Sequence, residues 1–338
     1  MKTLTKPQPI PNPPKDEHRG AGTTAVVVEG LTKRYGDRSA VDNLSFTVPT
    51  GATAGLIGPN GAGKTTIMAM LLGLVRPTEG SGTVLGQPLH KPANFLTRVG
   101  ASIEGPAFHP SVSGIDNLRA LAVLGRRSQT EIPALLELVG LDGRGEERYG
   151  SYSLGMKQRL GIAASLLGDP ELVILDEPTN GLDPRGMQDI RRLIGDISAG
   201  GRTVIVSSHL LSELEQVCDW LIVVDHGGLL YLGPPDRLAG TESIVVRTVE
   251  PSHLPVLRRV TMATGRPIAQ NDNEIVIALD DATDPARFAA EINRQMHAAG
   301  AVLSELRYQR ADLEARYLNL IANGQQSTTN NNTIGEPS

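Results

Sequence analysis

The chain holds a single cysteine, Cys218, among 338 residues. One thiol excludes an internal disulfide framework and any cysteine-rich zinc site, and it fits a reducing cytosol. Long apolar runs are missing as well: none approaches the roughly 20 residues that a helix needs to cross a bilayer. The amino terminus, MKTLTKPQPIPNPPKDEHRG, is polar and proline-rich where a secretory signal would carry its apolar core. The protein is therefore expected to stay in the compartment where it is made, and any membrane role is expected to pass through a partner. Nor is there an excess of positive charge. Lys and Arg number 32 against 37 Asp and Glu, a formal net charge of −5, which disfavours a general nucleic-acid binder. No repeat of roughly 20 to 50 residues is visible, which argues against a solenoid. What is present is ordinary for a globular protein, 40% apolar and 20% charged residues, over a length that allows one large domain or two modest ones.

Residues 1–23 carry Pro7, Pro9, Pro11, Pro13 and Pro14 among charges, and 324–338 read GQQSTTNNNTIGEPS. Neither composition can bury a core, so both tails are expected to be disordered. Between them Ala25–Glu29, Leu44–Val48 and Ala52–Ile57 are short and rich in apolar or β-branched residues, as strands are. Lys64–Val75 reads as a helix, and a mainly helical stretch is expected over 92–168, with amphipathic segments at Ile115–Leu124 and Ile132–Leu138. Leu172–Leu175 and Thr203–Val206 are unbroken apolar runs, the pattern of parallel strands buried on both faces, with a helix at Pro184–Ile197 between them. This alternation predicts an α/β fold with a mostly parallel core sheet over 24–240. From about residue 241 the texture changes. Strands at Ser243–Val249, Ile268–Gln270, Glu274–Leu279 and Val302–Tyr308, a turn at Asn271–Asn273, and helices at His253–Ala263 and Pro285–Ala298 give a β-α-β-β-α-β order. That is a ferredoxin-like α+β accessory domain over 241–323, closed by a helix at Asp312–Ile321.

Gly58-Pro59-Asn60-Gly61-Ala62-Gly63-Lys64-Thr65 satisfies every fixed position of the G-x-x-x-x-G-K-[ST] phosphate loop. It follows a predicted strand and opens a predicted helix, which is the context that the chemistry requires. Glycines let the backbone wrap an anion and turn successive N–H groups inward at a helix start. Lys64 would reach the β- and γ-phosphates, and the Thr65 hydroxyl would sit on Mg²⁺; Thr66 is counted with the nucleotide-binding residues. The bland alternative is a glycine-rich turn that binds nothing. Leu172-Val173-Ile174-Leu175-Asp176-Glu177 then brings two acids to the end of a buried strand. Asp176 would hold Mg²⁺ through water, and Glu177 would orient or deprotonate the water that attacks the γ-phosphate. On its own such a strand is as well read as capped by solvated acids. The two elements together define a P-loop NTPase and no narrower class.

The narrower class comes from Tyr152-Ser153-Leu154-Gly155-Met156-Lys157-Gln158-Arg159-Leu160, which resembles the ABC (ATP-binding-cassette) signature motif, usually written LSGGQ. Ser153 is a good helix N-cap, in keeping with a helix over Leu154–Leu167. Other elements fall in the family's order. Tyr35 in LTKRYG matches the aromatic residue that stacks on adenine, Asn180-Gly181-Leu182-Asp183 resembles the D-loop, and His209 in VSSHL matches the switch histidine. Taken singly, each would be bland surface or a structural histidine. The resemblance covers Thr24 to Gly240.

It implies a cassette with a mostly parallel core sheet, an antiparallel β subdomain and a helical subdomain, and ATP and Mg²⁺ as cofactors. It implies ATP-induced head-to-tail pairing of two copies, in which Ser153, Leu154, Gly155 and Met156 cap the γ-phosphate bound by the other copy and Asp183 belongs to the interface. It also implies a separate membrane permease as partner, no nucleic acid, and a peripheral place on the cytoplasmic face of the membrane. One position departs from the family. Where the loop after a core strand normally carries Gln, Glu104 stands, a carboxylate that can ligate Mg²⁺ but cannot donate a hydrogen bond when ionised. Glu104 followed by Pro106-Ala107-Phe108 and paired with SLGMKQRLGIA resembles the bacitracin-resistance and lantibiotic-immunity branch of exporters, and the terminal domain resembles the extension of drug-exporter ATPases.

Alternatives stay open at this point. A soluble ABC ATPase of translation would carry two cassettes, and one of DNA repair would insert long coiled coils where only 111 residues separate Lys64 from Asp176. An importer would more often end in a β-barrel-like domain, and a weak regulatory cassette would not be expected to keep both Glu177 and His209. Asp280, Asp281 and Asp284 could suggest a metal site but read better as a solvated acidic turn.

Overall fold

A computed structural model describes residues 24–105, 108–239, 242–271, 274–280, 282–309 and 312–331. They fall into two compact units that divide between Pro234 and Pro235.

The first unit opens with two long strands, β1 (Thr24–Tyr35) and β2 (Arg38–Pro49), followed by β3 (Thr53–Ile57) and helix α1 (Lys64–Leu71). Two short strands, β4 (Glu79–Val84) and β5 (Gln87–Pro88), precede β6 (Val99–Ser102). Three helices come next, α2 (Gly114–Leu124), α3 (Ile132–Leu138) and α4 (Leu154–Ser165), and then β7 (Leu172–Leu175), α5 (Pro184–Ala199) and β8 (Thr203–Ser208). A short α6 (Leu211–Leu214) and the hairpin β9 (Trp220–Asp225) and β10 (Gly228–Gly233) complete the unit.

The core sheet has the order β10-β9-β3-β8-β7-β6, parallel throughout except for the edge strand β10. Every residue of β3 (TAGLI), β7 (LVIL) and β8 (TVIVSS) is buried, which is why these strands read as continuous apolar runs instead of alternating ones. A second sheet, β2-β1-β4-β5, is antiparallel and alternates buried with exposed positions. Leu31, Leu44 and Phe46 of that sheet share one core with Ile67 and Met68 of α1 and Leu56 of β3. The helix after the phosphate loop is therefore anchored by both sheets.

Several boundaries differ from the sequence expectation. α1 ends four residues before Val75, because Gly73 enters the left-handed region (φ 68°) and the N–H groups of Gly73 and Leu74 turn back to Met70 and Ala69, a Schellman stop. The stretch expected to be mainly helical from residue 92 contains β6, whose four residues pair in parallel with β7. Strands β4, β5, β9 and β10 were not foreseen individually. The helix before β8 starts as its sequence predicts, with Asp183 capping Gly186 N–H at 2.9 Å and Pro184 at the first helical position.

The second unit begins with a short α7 (Pro235–Ala239) and then runs β11 (Ser243–Thr248), α8 (Leu254–Met262), β12 (Ile268–Asn271), β13 (Glu274–Ala278), α9 (Pro285–Ala298), β14 (Leu303–Gln309) and α10 (Leu313–Asn331). Its sheet is antiparallel with order β12-β13-β11-β14. Ile244, Val246, Ile275 and Ile277 pack one face of it against Leu257 of α8 and Ile292 and Met296 of α9. The last helix continues ten residues past Ile321, to Asn331, and no proline interrupts it. The rest of the expected tails, residues 1–23 and 332–338, lies outside the described residues. Of the acidic turn, Asp284 caps α9 through Ala286 N–H (2.9 Å) and Asp280 pairs with Arg266 (3.1 Å), while Asp281 lies outside the described residues. Among the described residues no group of three His, Cys, Asp or Glu side chains could hold a metal ion, and no helix is long and apolar enough to cross a membrane.

Candidate functional site

The site is assembled at the carboxyl ends of β3, β7 and β8, neighbours in the core sheet. The loop from Gly58 to Gly63 follows β3 and enters α1. Two of its glycines are demanded by packing. A Cβ on Gly58 would lie 2.2 Å from the Val224 carbonyl oxygen of β9, and one on Gly63, at φ 100°, would lie 2.5 Å from the Ala40 carbonyl oxygen of β2. The loop is thus pressed between the two sheets, and α1 presents the unpaired N–H groups of a helix start.

Lys64 is almost fully buried, with 6% of its surface exposed, and an ammonium so placed needs acceptors. It has three donors and three oxygens around it: Gly58 O at 2.8 Å, Pro59 O at 3.4 Å and Glu177 Oε1 at 3.2 Å. The second carboxylate oxygen of Glu177 lies 2.8 Å from His209 Nδ1. An ionised carboxylate only accepts, so that histidine nitrogen carries the proton and donates. Glu177 is held in the left-handed region at φ 45°, unusual for a residue with a side chain. Next to it, Asp176 accepts from Thr65 Oγ1 at 3.0 Å and from Ser207 Oγ at 2.6 Å, so both carboxylate oxygens are oriented.

An open cleft of about 540 Å³ is lined by Tyr35, Arg38, Asn60, Gly61, Gly63, Lys64, Thr65, Thr66, Glu177 and Asn180, with Ala40 at its wall. Tyr35, at the end of β1, is 53% exposed, with Lys33 Nζ over one face of its ring at 5.0 Å from the centroid. A larger cleft of about 750 Å³ beside β1 and β4 contains none of the predicted residues.

Not every predicted residue joins this cleft. Ser153 caps α4, accepting from Met156 N–H at 3.3 Å, and neither it nor Leu154, Gly155 or Met156 lines the cleft of its own chain. Leu154 instead packs on Gly181, whose Cβ would come within 3.1 Å of it. Tyr152, one residue before Ser153, is buried and donates its hydroxyl to Arg144 O at 2.8 Å; burial pushes its phenol above the usual range. Glu104 lies two residues past β6, exposed, in the left-handed region at φ 57°, and no hydrogen bond or ion pair joins its carboxylate to Thr65, Asp176 or another described residue. The Pro106-Ala107 part of its loop lies outside the described residues.

Three polar groups have no counterpart among the sequence expectations: Arg38, Ser207 and Glu213. Arg38 lines the cleft opposite Tyr35, and its signal was its place one turn after that tyrosine. Ser207 touches both acids, and Glu213 Oε2, buried, accepts from Thr179 Oγ1 (2.8 Å) and Ser208 Oγ (2.6 Å), tying the loop after β7 to the end of β8. No local pattern marks Ser207 or Glu213, because Asp176, Glu177 and Thr179 lie 30 to 34 residues from them in sequence.

A glycine loop between a buried parallel strand and a helix, with a lysine inside it and twin acids at the end of the next strand but one, defines a P-loop NTPase. Residues 41–180 match the family model described as ABC transporter. The chain is 43% identical over 219 residues to the bacitracin transport ATP-binding protein BcrA of Bacillus licheniformis, covering 64% of this chain and 72% of that one. It is 41% identical over 203 residues to the lantibiotic transport ATP-binding protein SrtF of Streptococcus pyogenes, covering 60% and 88%. Among solved structures, the ATP-binding subunit of an ABC transporter matches with a TM-score of 0.58 at 29% identity, over 64% of this chain and 92% of that one. The chain belongs to the family of ABC transporter ATP-binding proteins, the ATPases of these transporters. Its similarity falls in the bacitracin and lantibiotic group, where the Glu104 loop and the SLGMKQR signature had pointed.

Proposed function

We propose that this ATPase powers export of an antibiotic, peptide or drug-like compound through a separate membrane permease, acting as a pair of copies on the cytoplasmic face. ATP would occupy the cleft with adenine on Tyr35 and phosphates in the loop Gly58–Thr65. The Thr65 hydroxyl and Asp176 carboxylate, 3.0 Å apart, are hard oxygen donors of the kind that Mg²⁺ prefers, so these residues would hold that ion, with Glu104 as a third candidate. The ion, when bound, neutralises phosphate charge.

The observation that carries the reading is the position of Glu177 between Lys64 and His209. An incoming phosphate would compete for Lys64 and free one carboxylate oxygen of Glu177 to orient or deprotonate the attacking water. His209 would hold the other oxygen and keep the side chain aimed. Ser153–Met156, absent from their own chain's cleft, would cap the γ-phosphate of the second copy, with Asn180–Asp183 beside them at the interface. The names of BcrA and SrtF support antibiotic-type cargo, and the lack of a spanning helix among the described residues supports a separate pore.

Glu177→Gln tests it. The variant is expected to bind ATP, accumulate as an ATP-bound dimer by size-exclusion chromatography, and lose turnover. Wild-type ATPase activity in that variant would overturn the assignment.

A further inference from the structure

We propose that Ser207 is a positioning residue for ATP hydrolysis, its hydroxyl locking the Asp176 carboxylate and the Glu177 backbone into one fixed arrangement. The proposal rests on the roles given above to Asp176 and Glu177.

β8 pairs with β7 up to Val206 opposite Leu175, so Ser207 stands one step past the last pair, level with Asp176. Its side chain is wholly buried. Its Oγ donates to Asp176 Oδ1 at 2.6 Å and accepts from Glu177 N–H at 2.8 Å. The order is forced, because a hydroxyl has one proton, the carboxylate can only accept and the amide can only donate. The result is a directed chain from the Glu177 amide through Ser207 to Asp176, in which each bond strengthens the next.

Two features give the chain a functional reading. Glu177 sits at φ 45°, a conformation that persists only where its surroundings hold it, and Ser207 grips the amide of that same residue. Asp176 Oδ2 already faces Thr65, so fixing Oδ1 on Ser207 fixes the rotation of the carboxylate and keeps Oδ2 turned towards the proposed Mg²⁺ position. The Glu213 bridge between Thr179 and Ser208 fastens the same two loops but touches neither acid. Ser207 is therefore the group that sets the metal-side acid and the water-side acid relative to each other.

The test uses the full chain with Ser207→Ala, Ser207→Thr, Ser207→Cys and Glu177→Gln. Steady-state kcat and KM for ATP, melting temperature, and the Mg²⁺ concentration that half-saturates binding of a fluorescent ATP analogue are measured. Ser207→Ala is expected to lower kcat about tenfold or more with KM within about twofold, and to raise the Mg²⁺ requirement for nucleotide binding about fivefold. Ser207→Thr, which keeps the hydroxyl, is expected to recover most of both. If Ser207→Ala does not fold, Ser207→Cys decides, since its slightly larger thiol leaves no void and weakens both bonds. Near-wild-type kcat and Mg²⁺ requirement overturn the proposal, as does a loss confined to melting temperature. Full activity in Glu177→Gln would instead remove the reading on which it rests, whereas an inactive Glu177→Gln beside a normal Ser207→Ala would sink the Ser207 role alone.

Discussion

The two ends of the core sheet treat polar groups in opposite ways. At the amino end, charges close into pairs that face solvent: Arg98 forks onto both oxygens of Glu171 (2.5 and 2.7 Å), linking the entries of β6 and β7, and Arg202 meets Asp169. At the carboxyl end, Lys64 and Glu177 line one cleft, His209 holds Glu177, and Asp176 is oriented by Thr65 and Ser207. Parallel strands all deliver their last residues to one edge, and the loops there can point side chains into a common space. The Arg98–Glu171 pair is complete in itself. The carboxyl-end groups are held at one side and leave another side for a ligand.

That contrast can be broken experimentally, beginning where the effect is largest. Lys64→Ala is expected to cut ATP turnover by more than about 100-fold, read by phosphate release, because it removes a buried cation from the cleft. Next is Gly58→Ala, whose Cβ would collide with backbone at 2.2 Å; it should cost about 2 kcal/mol or more and lower the melting temperature measurably. A smaller effect is expected at the amino end. Glu171→Gln should leave turnover within about twofold and cost at most about 1 kcal/mol by urea unfolding, because both partners of that pair are substantially exposed. The hydrogen bonds from Arg98 hold the Glu171 carboxyl below its usual range. Its contribution is therefore present above the unfolded carboxylate pKa and lost as pH falls through the lower folded value. A pH-independent effect would contradict the pairing. Smallest of all, Cys218 should react negligibly with thiol reagents in the folded protein. It is buried against Gly55 and burial pushes its thiol far up, so labelling should track unfolding.

The legible parts of the sequence were those whose chemistry is contiguous. The phosphate loop, the twin acids, the signature stretch and the buried strands each announce themselves within ten residues or fewer. Leu172–Leu175 matched β7 end to end because four apolar residues followed by two acids leave a strand no room to shift. Ser207 lies just past the apolar run Thr203–Val206 and drew no reading of its own, because a serine there is equally a solvated cap. Its meaning depends on Asp176, 31 positions earlier in the chain. β6 was hidden for a related reason: Val-Gly-Ala-Ser has weak strand character and becomes a strand by pairing with β7. Glu104 marked the branch correctly from sequence, while its exposed carboxylate shows no partner among the described residues.

The order of the core sheet also bears on how the chain is made. β3 lies between β9 and β8, yet it is synthesised about 150 residues before either, since Thr53 pairs with Val204 and Ala54 with Trp220. Both of its edges stay unpaired while that length of chain emerges, whereas β1, β2 and β4 can pair at once with near neighbours. The antiparallel sheet should thus form early during translation, and the phosphate loop, strung from β3, should acquire its shape only when β9 closes the sheet against Gly58.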